Sequence, residues 1–132
     1  MSFVPADDAA RRRTRDDHGA SLVLQAVAGT GKTTLLVDRI ESLVRTGTAT
    51  LLDVAAVTFT ENAAATMKLR LRERLERARA DGSVPPVERA RASDALEVLE
   101  RAQVSTIHAL CTAILQRTCA TTGASGSRRA IP

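Results

Sequence analysis

Hydrophobic and polar positions follow two different periods along this chain of 132 residues. Apolar residues recur at helical spacing in some segments and form short continuous runs in others, and these runs are typical of buried strands. The pattern predicts strands at about 21–27, 54–59 and 104–107, and helices at about 7–17, 32–45, 61–80, 87–101 and 108–116. Since strands and helices alternate, we expect an α/β fold with a parallel sheet flanked by helices.

Local signals refine three parts of this pattern. Gly47 follows the last apolar position of the helix at 32–45 and predicts its C-terminus. The run at 54–59 lacks alternation, which favours a strand buried on both faces of the sheet. From Thr118 to Pro132 the periodicity fails and small polar residues dominate, so we expect a disordered or unrelated tail.

Composition narrows the class of protein only a little. The net charge of +4 is a weak indication of nucleic-acid binding. Cys111 and Cys119 lack metal-ligand spacing, so we expect two buried, reduced thiols. No run approaches the roughly 18 apolar residues of a membrane helix, and the first residues lack the order of a signal peptide. We therefore expect a cytoplasmic protein without a membrane partner.

A phosphate-binding pattern lies between the first strand and the helix at 32–45. Its core is Gly-x-Gly-Lys-Thr-Thr at 29–34. Gly29 and Gly31 allow close backbone approach to a phosphate, and the N–H groups of a helix N-terminus favour an anion. Lys32 would reach the outer phosphates and Thr33 would bind Mg²⁺, so both are candidate catalytic residues. The predicted ATP-binding residues are Ala26, Val27, Ala28, Gly29, Thr30, Gly31, Lys32, Thr33 and Thr34.

Two further segments place polar and aromatic residues where a strand ends and a helix begins. They are 56–67, which contains Thr-Phe-Thr, and 104–111, which contains Ser-Thr-Ile-His. Phe59 could stack on a base, and a threonine at a helix N-terminus could hold a backbone phosphate. Alternatively, Thr60 is only a helix N-cap, and His108 is a hydrogen-bonded structural histidine.

In this order, the three segments resemble the N-terminal ATP-binding domain of UvrD/Rep-type superfamily-one DNA helicases, and are most similar to the RecB/AddA branch. The resemblance covers about 20–117. It makes Ala26 normal where many phosphate-binding loops have glycine, and Leu110 departs from the phenylalanine usual in this family. It implies a partial RecA-like P-loop fold, ATP and Mg²⁺ as cofactors, and, as partners, single- or double-stranded DNA and a second helicase–nuclease subunit. It places a single-stranded DNA track along Phe59, Thr60, Asn62, Thr106 and His108.

Some parts that the resemblance leads us to expect are missing. No apolar strand ends in the Asp-Glu pair that would position Mg²⁺ and water. The adenine-reading glutamine is not evident, and Asp7 or Asp8 occupies its place. We therefore expect a charged helix at 1–19, a partial ATP-binding domain at 20–117 and the tail at 118–132, as in a truncated helicase whose own activity is uncertain. The alternatives are a nucleotide- and DNA-binding remnant without turnover, and a small P-loop kinase.

Overall fold

The computed structural model describes residues 8–25 and 31–122 of the chain. Five α-helices and two strands lie in these two ranges, with short 3-10 turns before β1 and before β2. The elements in chain order are α1 (Asp8–Asp16), α2 (Lys32–Arg45), β1 (Ala55–Thr58), α3 (Glu61–Ala80), α4 (Pro86–Val98), β2 (Gln103–Thr106) and α5 (Ile107–Thr122).

The helices predicted at 32–45 and 61–80 are confirmed as α2 and α3. α2 ends as expected at Gly47, whose φ is +76°. The Gly47 N–H donates to the Val44 carbonyl at 3.1 Å, and the Thr48 N–H donates to the Leu43 carbonyl at 3.0 Å. This pair of bonds is the Schellman motif, and it satisfies two carbonyls that the helix end would leave unpaired.

The hydrophobic core lies mainly among α2, α3 and α4. α3 contributes one apolar stripe at intervals of three and four residues, as the helical period requires. The buried side chains of this stripe are Ala64, Met67, Leu71, Leu75 and Ala78. They pack against Val37, Ile40 and Val44 of α2 and against Ala92 and Ala95 of α4. The fold is therefore richer in helix contacts than the predicted sheet-centred arrangement.

β1 and β2 form a parallel pair, the only sheet within the described residues. Ala56 of β1 is buried, whereas Val57 is 40% exposed. The prediction that this strand is buried on both faces is therefore wrong. α3 packs against both strands on one side, and among the described elements no comparable layer covers Val57.

The strand predicted at about 21–27 is not found over residues 21–25, which have no regular secondary structure. Val23 is 99% exposed and Leu24 is 42% exposed. A strand needs a neighbour to pair its N–H and C=O groups, and in the described ranges β1 and β2 pair only with each other. The expected apolar edge is thus present as exposed side chains, but not as a strand.

α5 continues beyond the helix predicted at 108–116. It runs to Thr122, so the irregular tail does not begin at Thr118, and residues 123–132 lie outside the described ranges. The Thr118 hydroxyl donates to the Ile114 carbonyl at 2.9 Å, which satisfies this polar group within the helix. Cys111 and Cys119 are exposed free thiols on α5, so the prediction of buried cysteines is wrong.

The charged segment at the start forms α1 as predicted, and α1 docks on α2. Arg39 of α2 donates to the carbonyl of Asp17 at 2.9 Å. The His18 ring approaches the hydroxyl of Ser42 at 3.2 Å and that of Thr48 at 3.3 Å. These contacts fix α1 beside α2. No helix in the described ranges combines the length and apolarity needed to cross a membrane.

Candidate nucleotide and nucleic-acid site

The described end of the phosphate-binding pattern is the N-terminus of α2. Gly31 is the N-cap and has a φ of +86°, a left-handed conformation that favours glycine. Lys32 is exposed and Thr33 is partly buried. The first turn of α2 contains no acidic residue, so the positive end of the helix dipole is not neutralised there. Residues 26–30, which include five of the nine predicted ATP-binding residues, lie outside the described ranges.

These features fit a triphosphate with its magnesium ion. An anion at this helix end meets N–H groups and the Lys32 side chain. The Thr33 hydroxyl is one oxygen ligand for Mg²⁺, which usually keeps several waters and takes phosphate oxygens as its other ligands. In the described ranges, no group of three or more His, Cys, Asp or Glu side chains is placed to hold a metal. A magnesium ion carried by the nucleotide agrees with this arrangement better than an all-protein metal site does.

Arg11 adds a second cation near this helix end. Its Nη1 lies 3.7 Å from the position that a Cβ on Gly31 would take. The sequence pattern favoured a solvated face for the run 11–13, so this proximity was missed. The i, i+4 pairing of Asp8 with Arg12, at 2.6 Å, was the available signal, because it orients α1 with Arg11 on another face.

Arginines of α3 line a cleft beside the same part of α2. Arg70 donates to the Thr34 hydroxyl at 3.2 Å, and Arg74 lies 3.0 Å from Asp38 without hydrogen-bond alignment. The cleft has a volume of about 230 Å³. Its lining residues are Thr34, Val37, Arg70, Glu73, Arg74 and Arg77. The spacing of 70, 74 and 77 places the three arginines on one stripe of the helix, a signal that the sequence contains.

The predicted DNA-contact segments meet at one edge of the sheet. In the parallel register Thr58 is paired with Thr106, so the residues that follow both strands leave the sheet side by side. Phe59 is 94% exposed at this edge, and His108 is exposed in the first turn of α5. The ring of His108 makes no hydrogen bond within the described ranges, so the structural-histidine alternative gains no support.

The threonine hydroxyls at this edge already have partners in the protein. Thr60 is the N-cap of α3, and its Oγ1 accepts from the Ala63 N–H at 3.1 Å. Thr106 is 7% exposed, and its hydroxyl is used by Glu61 and Ala109. The exposed side chains at this edge that remain available for a ligand include Phe59, Asn62 and His108.

The nucleotide and DNA candidates occupy different parts of α3. Thr34 meets Arg70, which lies nine residues after Glu61, or about 13 Å along the helix axis. The strand-end residues instead adjoin the first turn of α3. This single helix therefore contacts both predicted ligand regions.

An ion cluster fixes α3 to the turn that precedes β2. Glu100 lies 3.1 Å from the Lys68 Nζ and also pairs with Arg72. The hydrogen bond from Lys68 lowers the pKa of Glu100, and the charge of Arg72 acts in the same direction. These contacts help to hold β2, and the strand-end residues after it, in register with α3.

Comparison with known proteins agrees with this arrangement. A family model described as the UvrD/REP helicase N-terminal domain matches residues 7–130. The chain belongs to this helicase family. The match is wider than the 20–117 expected from the motifs, because it includes α1 and the segment after Thr118.

Several curated relatives have the same family identity. The ATP-dependent helicase/nuclease protein AddA of Limosilactobacillus reuteri is 34% identical over 82% of this chain, and that of Latilactobacillus sakei is 36% identical over 87%. The ATP-dependent DNA helicase UvrD1 of Mycobacterium leprae is 33% identical over 86%. The aligned region is only 8% of the first relative and 12% of the other two.

Proposed function

We propose that this chain is the ATP-binding N-terminal part of an ATP-dependent DNA helicase of the helicase–nuclease type. In this proposal it binds Mg·ATP through residues 26–34 and single-stranded DNA through the ends of β1 and β2. The parallel register that brings Phe59 and His108 to one edge carries the DNA assignment, in a chain of the UvrD/REP family. The relatives' names support ATP and DNA as ligands, and they support a partner protein in the form of a second helicase–nuclease subunit.

The nucleotide roles follow from the chemistry of the helix end. Lys32 would pair with the β- and γ-phosphates, and Thr33 would bind Mg²⁺. Ala26 to Thr30 would complete the backbone cradle, which assigns residues 20–117 to the ATP-binding unit. Arg11 is close enough to Gly31 to add positive charge on the outer side of this cradle.

The DNA roles follow from exposure at the strand ends. Phe59 would stack on a base, and His108 and Asn62 would contact sugar or phosphate. Thr60 would act by presenting the N-terminus of α3 to a phosphate, since its own hydroxyl caps the helix. Thr106 would support this surface from below, as its low exposure indicates.

Binding of a fluorescent ATP analogue in the presence of Mg²⁺ tests the nucleotide assignment. Lys32→Ala should weaken binding by at least about tenfold, because it removes a charge-assisted phosphate contact. Arg79→Ala is the matched control, because Arg79 is an exposed cation on α3 with no ion pair among the described residues. Equal affinity of the wild type and Lys32→Ala would remove the phosphate-binding loop from the explanation.

Turnover is a separate question from binding. The sequence contains no strand ending in the Asp-Glu pair that helicase hydrolysis needs, which favours binding without hydrolysis by this chain alone. Steady-state ATPase assays with and without single-stranded DNA should therefore show no DNA-stimulated phosphate release. Robust stimulated hydrolysis, abolished by Lys32→Ala, would show that other residues of this chain replace the acidic pair. Phosphorylation of a nucleoside monophosphate would instead support the kinase alternative.

A further inference from the structure

The hydroxyl of Thr106 joins the two strand-end segments. It donates a hydrogen bond to Oε1 of Glu61 at 3.3 Å and accepts one from the Ala109 N–H at 3.3 Å. A threonine hydroxyl has one proton to donate, so Glu61 takes its whole donor capacity. Because Thr106 is only 7% exposed, water is a poor substitute for this acceptor.

The positions of the two partners give this bond its leverage. Glu61 is the first residue of α3 and directly follows the segment with Phe59. Thr106 is the last residue of β2 and caps the helix that carries His108. Backbone pairing between the strands stops at Thr58 and Thr106, so beyond that point this side-chain bond links the segments.

We propose that Glu61 is a positioning residue that sets the placement of Phe59 relative to His108 through the Thr106 hydroxyl. This inference rests on the proposed DNA-binding function of the strand ends. The role requires a hydrogen-bond acceptor at position 61 and not a negative charge. Glu61 itself need not touch the nucleic acid.

Charge and position predict opposite signs for the loss of Glu61. A carboxylate beside a DNA-binding edge repels phosphates, so its removal should tighten binding if charge alone matters. If Glu61 acts by position, removal of the acceptor should weaken binding. Glu61→Gln removes the charge and keeps an acceptor oxygen, whereas Glu61→Ala removes both, so their comparison separates the two effects.

Fluorescence anisotropy with a labelled oligothymidylate measures the result for the full chain. We expect Glu61→Gln to bind at least as tightly as the wild type, and Glu61→Ala to bind about fivefold more weakly than Glu61→Gln, as the loss of one hydrogen bond implies. In a Thr106→Val background the two variants should bind alike. In a Thr106→Ser background, which keeps the hydroxyl, their difference should return.

A matched control uses Glu76, an exposed carboxylate on α3 without an ion pair in the described ranges. Glu76→Gln and Glu76→Ala should have equal DNA affinity. Equal affinity of Glu61→Gln and Glu61→Ala, with the controls also equal, would overturn the inference. So would a difference at position 61 that persists unchanged in the Thr106→Val background.

Urea unfolding distinguishes failure of this inference from failure of the proposed function. A double-mutant cycle of Glu61→Ala with Thr106→Val should show a coupling whether or not DNA binds. If the wild type binds no single-stranded DNA but the cycle shows coupling, the proposed function fails and the link between the segments stands. If the wild type binds DNA and the two substitutions are additive, the positioning role fails.

Discussion

Truncation of Phe59 gives the sharpest test of a DNA surface at the strand ends. The side chain is 94% exposed, so Phe59→Ala should change the free energy of unfolding by less than about 0.5 kcal/mol, as for most surface substitutions. Stacking of one base on an aromatic ring contributes about 1–3 kcal/mol to binding. The dissociation constant for single-stranded DNA should therefore rise by about 5- to 150-fold.

The assay is fluorescence anisotropy with a labelled oligothymidylate at several salt concentrations. Loss of stacking should weaken binding at every salt concentration and leave the slope of affinity against salt unchanged, since no phosphate contact is lost. Phe59→Trp should retain the affinity, because it keeps an aromatic face. Val87→Ala is the control, because Val87 is an apolar side chain on α4 that is 60% exposed and outside both strand-end segments.

Two outcomes would refute this reasoning. One is an unchanged dissociation constant for Phe59→Ala, which would show that no base stacks on the ring. The other is weaker binding together with a fall in urea midpoint, which would mean that the ring supports the fold. An equal effect of Val87→Ala would show that the anisotropy reports non-specific association.

Three further predictions concern stability, measured by urea unfolding followed by circular dichroism. Gly47→Ala should destabilise the fold by about 1–2 kcal/mol from the left-handed backbone, and its Cβ would lie 2.7 Å from Arg91, whereas Gly82→Ala meets no atom within 4 Å and should be near neutral. Leu71→Ala, at a position with 0% exposure, should cost about 2–5 kcal/mol, and a smaller loss would place this side chain outside the core. Burial raises the pKa of Glu41, so its ionisation opposes folding; Glu41→Gln should be the more stable protein at pH 7, and its advantage should shrink as the pH falls through the folded pKa towards the unfolded one. An advantage that grows towards acid pH would contradict that sign.

The helices and the phosphate-binding pattern were the parts most open to sequence reasoning. α2 and α3 begin and end where their periodicity, Thr60 and Gly47 predicted. Capping and helical spacing depend on residues within a few positions of each other, so the sequence contains the whole signal. The same holds for the order of the three motifs, which indicated the helicase family that the comparisons confirm.

Contacts between distant segments were beyond that reasoning. Residues 21–25 have the apolar character of a strand, yet they form none, because a strand exists only when another strand pairs with it. Cys111 and Cys119 looked like buried thiols but lie on the open side of α5. The approach of Arg11 to Gly31 depends on how α1 docks, which no local pattern encodes.

At the candidate site, the residue types came from the sequence and their roles came from the packing. Thr106 and Phe59 looked alike as DNA contacts, because each ends a strand in a matching motif. The parallel register then brought their segments together, exposing Phe59 and burying Thr106 against Glu61. Motif spacing identifies which side chains can bind a ligand, whereas burial and hydrogen-bond partners decide which of them remain free to do so, and these depend on residues 45 positions apart.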